Sequence, residues 1–194
     1  MSAISEALRL ASTVATSIGH GSATIEPGGK LPTTPLKENK ADSSAPLEYP
    51  AGKHIIIGGL IGVLLRLNLT ALEVSPGHSL ARGVEQISVV AVNDVFVLQY
   101  VLVLIHVVVY LKVYRAWKEK LAPSGTPIRF FSDDSGAFSK ALGLHFDATP
   151  VLGGVRAKRF VIIANGAEVE TVAVEEVASQ LTVTDAKAIL AQLA

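Results

Sequence analysis

Cysteine is absent from all 194 residues, which excludes disulfides, thiolate metal ligands and thiol nucleophiles. Net charge is absent too: 17 basic residues balance 17 acidic ones. No global field therefore draws nucleic acid or an anionic membrane surface, and no nucleic-acid partner is expected. The five histidines are scattered, with no cluster at zinc spacing, so neither a metal nor a cofactor is expected. At this length one domain can bury a substantial core.

Foldable pattern is scarce in the first part of the chain. Ser, Thr, Ala, Gly and Pro dominate, with Ile4, Leu8, Leu10 and Val14 giving a weak helical signal. Residues 1–26 are read as a disordered tail. A mitochondrial presequence would be rich in arginine and poor in acids, whereas Arg9 stands alone in the first turns beside Glu6. From Pro27 to Pro50 the chain is turn-rich, and its prolines prevent a continuous helix or a central strand. This segment is expected to wrap around a domain spanning 27–194.

Regular structure begins after Lys53. His54 to Gly58 is a short β-branched run ended by glycine, and Gln86 to Val92 is a second run closed by Asn93 and Asp94. Ile128 to Phe131 makes a third. Asp133 or Asp134 can then cap a helix carrying Ala137, Phe138, Ala141 and Leu142 and stopping at Gly143. Arg159 to Ala164 and Glu168 to Val174 flank Asn165-Gly166, a hairpin signal because both residue types tolerate positive φ. Thr184 can cap a closing amphipathic helix from Asp185 to Leu193. Strands separated by helices, then a hairpin and a helix, describe a mixed α/β sandwich.

Several blocks carry a resemblance. Asp133 to Leu144 (DDSGAFSKALGL), Pro150 to Ile163 (PVLGGVRAKRFVII) and Val89 to Val97 (VVAVNDVFV) resemble the type II peroxiredoxins, as do Gly28 to Asn39 and Ala51 to Gly58 nearer the start. The resemblance implies a thioredoxin-like α/β fold: a mixed sheet with flanking helices, a C-terminal β-hairpin and a closing helix. It also implies reduction of hydrogen peroxide and organic hydroperoxides by a cysteine thiolate at a helix N-terminus. The electron donor would be thioredoxin or glutaredoxin, and a homodimer is common in the family.

The family places its motif, Pro-x-x-x-Thr-x-x-Cys, directly after the strand that corresponds to His54 to Gly58. Residues 59–82 here depart from it, and Gly59 to Thr70 holds neither the proline nor the cysteine. Serine or threonine is no substitute, because an alcohol is scarcely ionised near neutral pH. One functional residue carries over by resemblance: Arg159 matches the arginine that faces the reactive sulfur and the peroxide. An arginine paired with a carboxylate is the alternative reading. Val183 occupies the place where some relatives keep a resolving cysteine.

A second departure is a hydrophobic insert at 98–114. Val95 to Leu111 is a nearly continuous apolar run of about seventeen residues, at the lower limit for a membrane span, flanked by Lys112, Arg115, Lys118 and Lys120. Against a span stand Gln99 and His106 inside the run, its valines, and the splitting of one sheet between lipid and water. Three readings remain: an untranslated segment read through into the coding sequence, a buried or aggregating strand, or a membrane anchor. The insert is expected to lower solubility.

Other signals are weak. Gly58-Gly59-Leu60-Ile61-Gly62 follows a strand but lacks the dinucleotide-loop spacing. Asp133 and Asp134 read as a cap rather than as a paired acid and base. His54, His106 and His145 read as satisfied core histidines. Asn68-Leu69-Thr70 fits a glycosylation sequon without a recognisable signal peptide. Two functions follow: a thiol peroxidase family whose member here lacks the nucleophile, or a non-catalytic or membrane-associated scaffold. The expected location is the cytoplasm, with mitochondrial or peroxisomal placement as alternatives.

Overall fold

The computed structural model describes residues 23–38, 40–59, 83–92, 128–177 and 181–193. The insert, most of the 59–82 departure, His106, the sequon and most of the N-terminal tail lie outside the described residues.

The centre of the molecule is a strand that has to be apolar on both sides. Lys53–Gly58 (β3) sends Ile55 and Ile57 to one face and His54 and Ile56 to the other, and all four are buried. It is flanked by Val84–Ala91 (β4), parallel to it, and Phe160–Asn165 (β8), antiparallel to it. Ile128–Ser132 (β5) extends the sheet beyond β4 and Glu168–Val174 (β9) beyond β8, giving the order β5-β4-β3-β8-β9. Continuous β-branched runs suit strands covered on both faces.

Each face carries its own core. On one, Ala186, Ile189 and Leu193, from the closing helix Ala186–Gln192 (α3) and its end, pack on Ile55, Ile57, Val89, Val161 and Ile163. On the other, Phe138 and Leu142 from the helix Ala137–Ala141 (α1) and its end lie over Ile56, Phe160 and Ile162. Leu31, Leu36 and Leu47 complete that layer, so the proline-rich segment does wrap the sheet as expected. Within it, Pro35–Leu36 (β1) and Ala45–Pro46 (β2) form a minimal antiparallel pair. The packing reaches back to Ile25, whose N–H donates to the Leu142 carbonyl at 2.9 Å.

The wrapping segment is also held by charge. Arg129 donates from Nε and Nη2 to the two oxygens of Glu38, both at 2.8 Å, and its guanidinium lies 4.9 Å from the centre of the Phe131 ring. Tyr49 donates its hydroxyl to the Pro32 carbonyl and stacks on His54 at 5.8 Å between ring centroids. His54 is 1% exposed, and its Nε2 has no hydrogen-bond partner among the described residues, so this core histidine is not fully satisfied. Burial holds its pKa below the ordinary 6.5, partly opposed by the Gly52 carbonyl.

That geometry makes an acid-sensitive contact. A histidine kept neutral in the folded state contributes stability above its ordinary pKa and loses it as pH falls below that value. Urea midpoints are expected to fall between pH 7.5 and 5.5. The His54→Phe variant, which keeps a ring for Tyr49, should lose less over the same interval, and an identical loss would remove His54 as its source.

Two local expectations shift by one or two residues. Asn165 pairs with Glu168, so the hairpin loop is Gly166 and Ala167, and Gly166 alone takes positive φ, at 56°. Helix α3 is capped by Asp185, whose Oδ1 accepts from Ala188 N–H at 2.6 Å, rather than by Thr184. Thr184 is engaged elsewhere.

Candidate active site

Strand β3 ends at Gly58 against the start of β8, where Gly58 and Phe160 are register partners. A Cβ on Gly58 would lie 2.2 Å from the Phe160 ring, so only glycine fits this approach. The next residue, Gly59, runs alongside Arg159, with the space for its Cβ 3.4 Å from the Arg159 Cα. The strand expected to precede the family's nucleophile therefore delivers the chain to Arg159.

Arg159 lies immediately before β8 and is only 4% exposed. Burial lowers its pKa, while the negative charge of Glu175 raises it. The backbone links the same two residues, Glu175 N–H donating to the Arg159 carbonyl at 2.9 Å. Of the two readings of Arg159, the neighbouring carboxylate is what the structure displays, Glu175 acting on it electrostatically.

Glu175 follows the end of β9 and is also 4% exposed. Its carboxylate accepts from the backbone N–H of Thr182 and of Thr184 at 2.7 and 2.9 Å, and from their hydroxyls at 2.6 and 2.8 Å. Burial pushes the Glu175 carboxyl up, but these four bonds outweigh it and the net pKa is below 4.5. No sequence motif marks Glu175. Its only signal was the first of two adjacent acids after a strand, with a Thr-x-Thr seven residues on, a pattern that says nothing until the loop closes. Between the two threonines, Val183 stands 44% exposed.

The other candidates lie apart from this cluster. Asp133 is a cap in function: its oxygens accept from the N–H of Phe138 and Ser139 and from the Ser139 hydroxyl, while the backbone N-cap position of α1 belongs to Gly136. Asp134 instead pairs with Lys37 at 2.6 Å, a contact that lowers its pKa. The adjacent carboxylates therefore have separate structural tasks and do not form an acid–base pair. His145, at the start of His145–Asp147 (β6), is half-buried, and its Nδ1 has no partner among the described residues.

A Redoxin family profile matches residues 78–190. The chain is 29% identical over 170 residues to "Peroxisomal membrane associated protein 20" of Schizosaccharomyces pombe, covering 86% of this chain and 97% of that protein. It is 30% identical over 168 residues to "Peroxiredoxin-2F, mitochondrial" of Arabidopsis thaliana, covering 84% and 70%. Among solved structures, reduced Prx3 from Vibrio vulnificus superposes with a TM-score of 0.65 at 27% identity over 88% of this chain and 99% of that one. Profile, relatives and topology agree with the resemblance in the sequence blocks, and this chain belongs to the peroxiredoxin family of thioredoxin-like proteins.

Proposed function

We propose that this polypeptide is a peroxiredoxin without peroxidase turnover, a non-catalytic relative that keeps the fold and the arginine of the site. The observation that carries the reading is the absence of cysteine from the whole sequence. In the family's reaction a thiolate sulfur takes the distal peroxide oxygen, the O–O bond breaks, and the departing alkoxide or hydroxide is protonated. An arginine in the position of Arg159 would stabilise the charge developing on that leaving oxygen. Without a thiolate there is no nucleophile for Arg159 to assist, and a threonine or serine hydroxyl stays protonated near neutral pH.

A second reading is favoured by the retained electrostatics. Arg159 remains buried beside Gly59 and opposite Glu175, an arrangement with a clear use when a sulfur follows β3. On this reading the locus also yields a form whose 59–82 segment carries the Pro, Thr and Cys motif. That form would reduce hydroperoxides at the expense of thioredoxin or glutaredoxin. Peptide mass spectrometry across residues 54–117 of the native protein separates the two.

The direct test is peroxide consumption by the purified chain with thioredoxin or glutaredoxin and their reducing systems. No rate above the protein-free control is expected with hydrogen peroxide or with an organic hydroperoxide. Thiol-dependent turnover would overturn the reading.

A further inference from the structure

The hairpin between β8 and β9 sets an exposed side-chain amide directly before an unobstructed backbone nitrogen. Asn165 closes β8 and is exposed, paired in register with Lys53 on one side and Glu168 on the other. The two-residue loop that follows opens with Gly166, whose φ of 56° suits the first position of a tight hairpin turn. No described atom lies within 4 Å of where a Gly166 Cβ would stand. The Gly166 N–H donates to the Gly52 carbonyl at 3.3 Å, which is long for a backbone hydrogen bond and easily opened at a loop tip.

The sequence offers this pairing once. Of the asparagines at 39, 68, 93 and 165, only Asn165 precedes a glycine; the others precede Lys40, Leu69 and Asp94, whose side chains obstruct approach to the following nitrogen.

We infer that Asn165 is a site of spontaneous deamidation and backbone isomerisation, for which the chain supplies both reacting groups and solvent supplies the water. The Gly166 nitrogen gives its proton to hydroxide and bonds to Asn165 Cγ. The Cγ–Nδ2 bond breaks, and ammonia leaves with a proton from water. A second water then opens the five-membered imide. Attack at the side-chain carbonyl leaves aspartate in an ordinary backbone; attack at the main-chain carbonyl breaks its bond to the Gly166 nitrogen and leaves isoaspartate, with Gly166 joined through Cγ.

The two products differ in what they do to the sheet. An aspartate at 165 would stand opposite Lys53 and opposite Glu168, one neighbour of each sign, so its new charge changes little. Isoaspartate adds a methylene to the backbone between β8 and the loop. That extra atom breaks the spacing by which Asn165 meets Lys53 and Glu168 in register. Isomerisation, not charge, is what weakens the hairpin.

The experiment ages the full-length chain in mildly alkaline buffer and follows all four asparagines by peptide mass spectrometry. Asn165 should convert at least about tenfold faster than Asn39, Asn68 or Asn93. The aged chain should become a methyl acceptor for an isoaspartyl methyltransferase, and Asn165→Ser should remove that acceptance. Asn165→Asp is expected to keep the parent's urea midpoint, whereas the methyl-accepting fraction of the aged parent unfolds at lower urea. The site is overturned if Asn165 converts no faster than the other three, or if Asn165→Ser still accepts methyl groups as the parent does. A fresh Asn165→Asp chain as weak as the aged parent would overturn isomerisation as the cause.

Discussion

Glu175→Ala is expected to lower the free energy of unfolding by about 3 kcal/mol, because it removes the shared acceptor of four donors in a largely buried setting. Two of those donors are backbone N–H groups that cannot rotate away, and the Thr184 side chain is buried with its hydroxyl directed at Glu175. Arg159 simultaneously loses the negative charge that favours its ionised form. Glu175→Gln is expected to cost less, roughly 2 kcal/mol, since one amide oxygen still accepts while the NH2 group faces donors. The pH dependence follows the depressed carboxyl pKa. Its contribution is present above the ordinary value of 4.5 and is lost as pH falls through the lower folded-state value, so acid should unfold the parent by a step that Glu175→Gln lacks. Urea unfolding at pH 7 and at pH 3.5 measures both, and variants within about 0.5 kcal/mol of the parent would show that the loop does not depend on this carboxylate.

Gly58→Ala should be about as damaging, at roughly 3 kcal/mol, for an entirely steric reason. Gly58 lies between Val90 of β4 and Phe160 of β8, and a methyl group there would enter the Phe160 ring at 2.2 Å. Neither partner can withdraw easily, because both are fully buried. Phe160→Ala alone should cost about 3–5 kcal/mol by leaving a cavity in the layer beneath α1. The two changes should not add: with the ring removed, the alanine methyl fills space instead of colliding. A double-mutant cycle is expected to give a coupling of about 2 kcal/mol in the compensating direction. Strict additivity would mean that β3 and β8 do not approach this closely.

The strands were legible because their signals are local. Ile55 to Ile57, Val89 to Val92 and Phe160 to Ala164 are β-branched or apolar runs bounded by glycine or polar residues, and a central strand covered on both faces needs that composition. The hairpin and the closing helix were legible in kind but not to the residue. Asn165 and Gly166 offered two candidates for positive φ, and register placed only Gly166 in the loop. Thr184 and Asp185 both cap well, and the choice fell to Asp185 because Glu175 draws Thr184 away. Arg159 is marked in the sequence only by the family blocks around it. Glu175 was missed, since its partners lie seven and nine residues away across a loop with no periodic pattern.

Composition alone determined that this chain has no thiol chemistry, and local patterning determined its α/β character and the identity of its strands. These are properties of residue type and short-range order, which no tertiary arrangement can alter. Which polar groups meet was decided only by the tertiary structure: Glu175 with the two threonines and the Arg159 backbone, His54 beneath Tyr49, and Arg129 with Glu38. Such meetings depend on strand register and loop closure. Both are set by burial of the two apolar layers as a whole, so residues distant in sequence acquire partners that no local window contains.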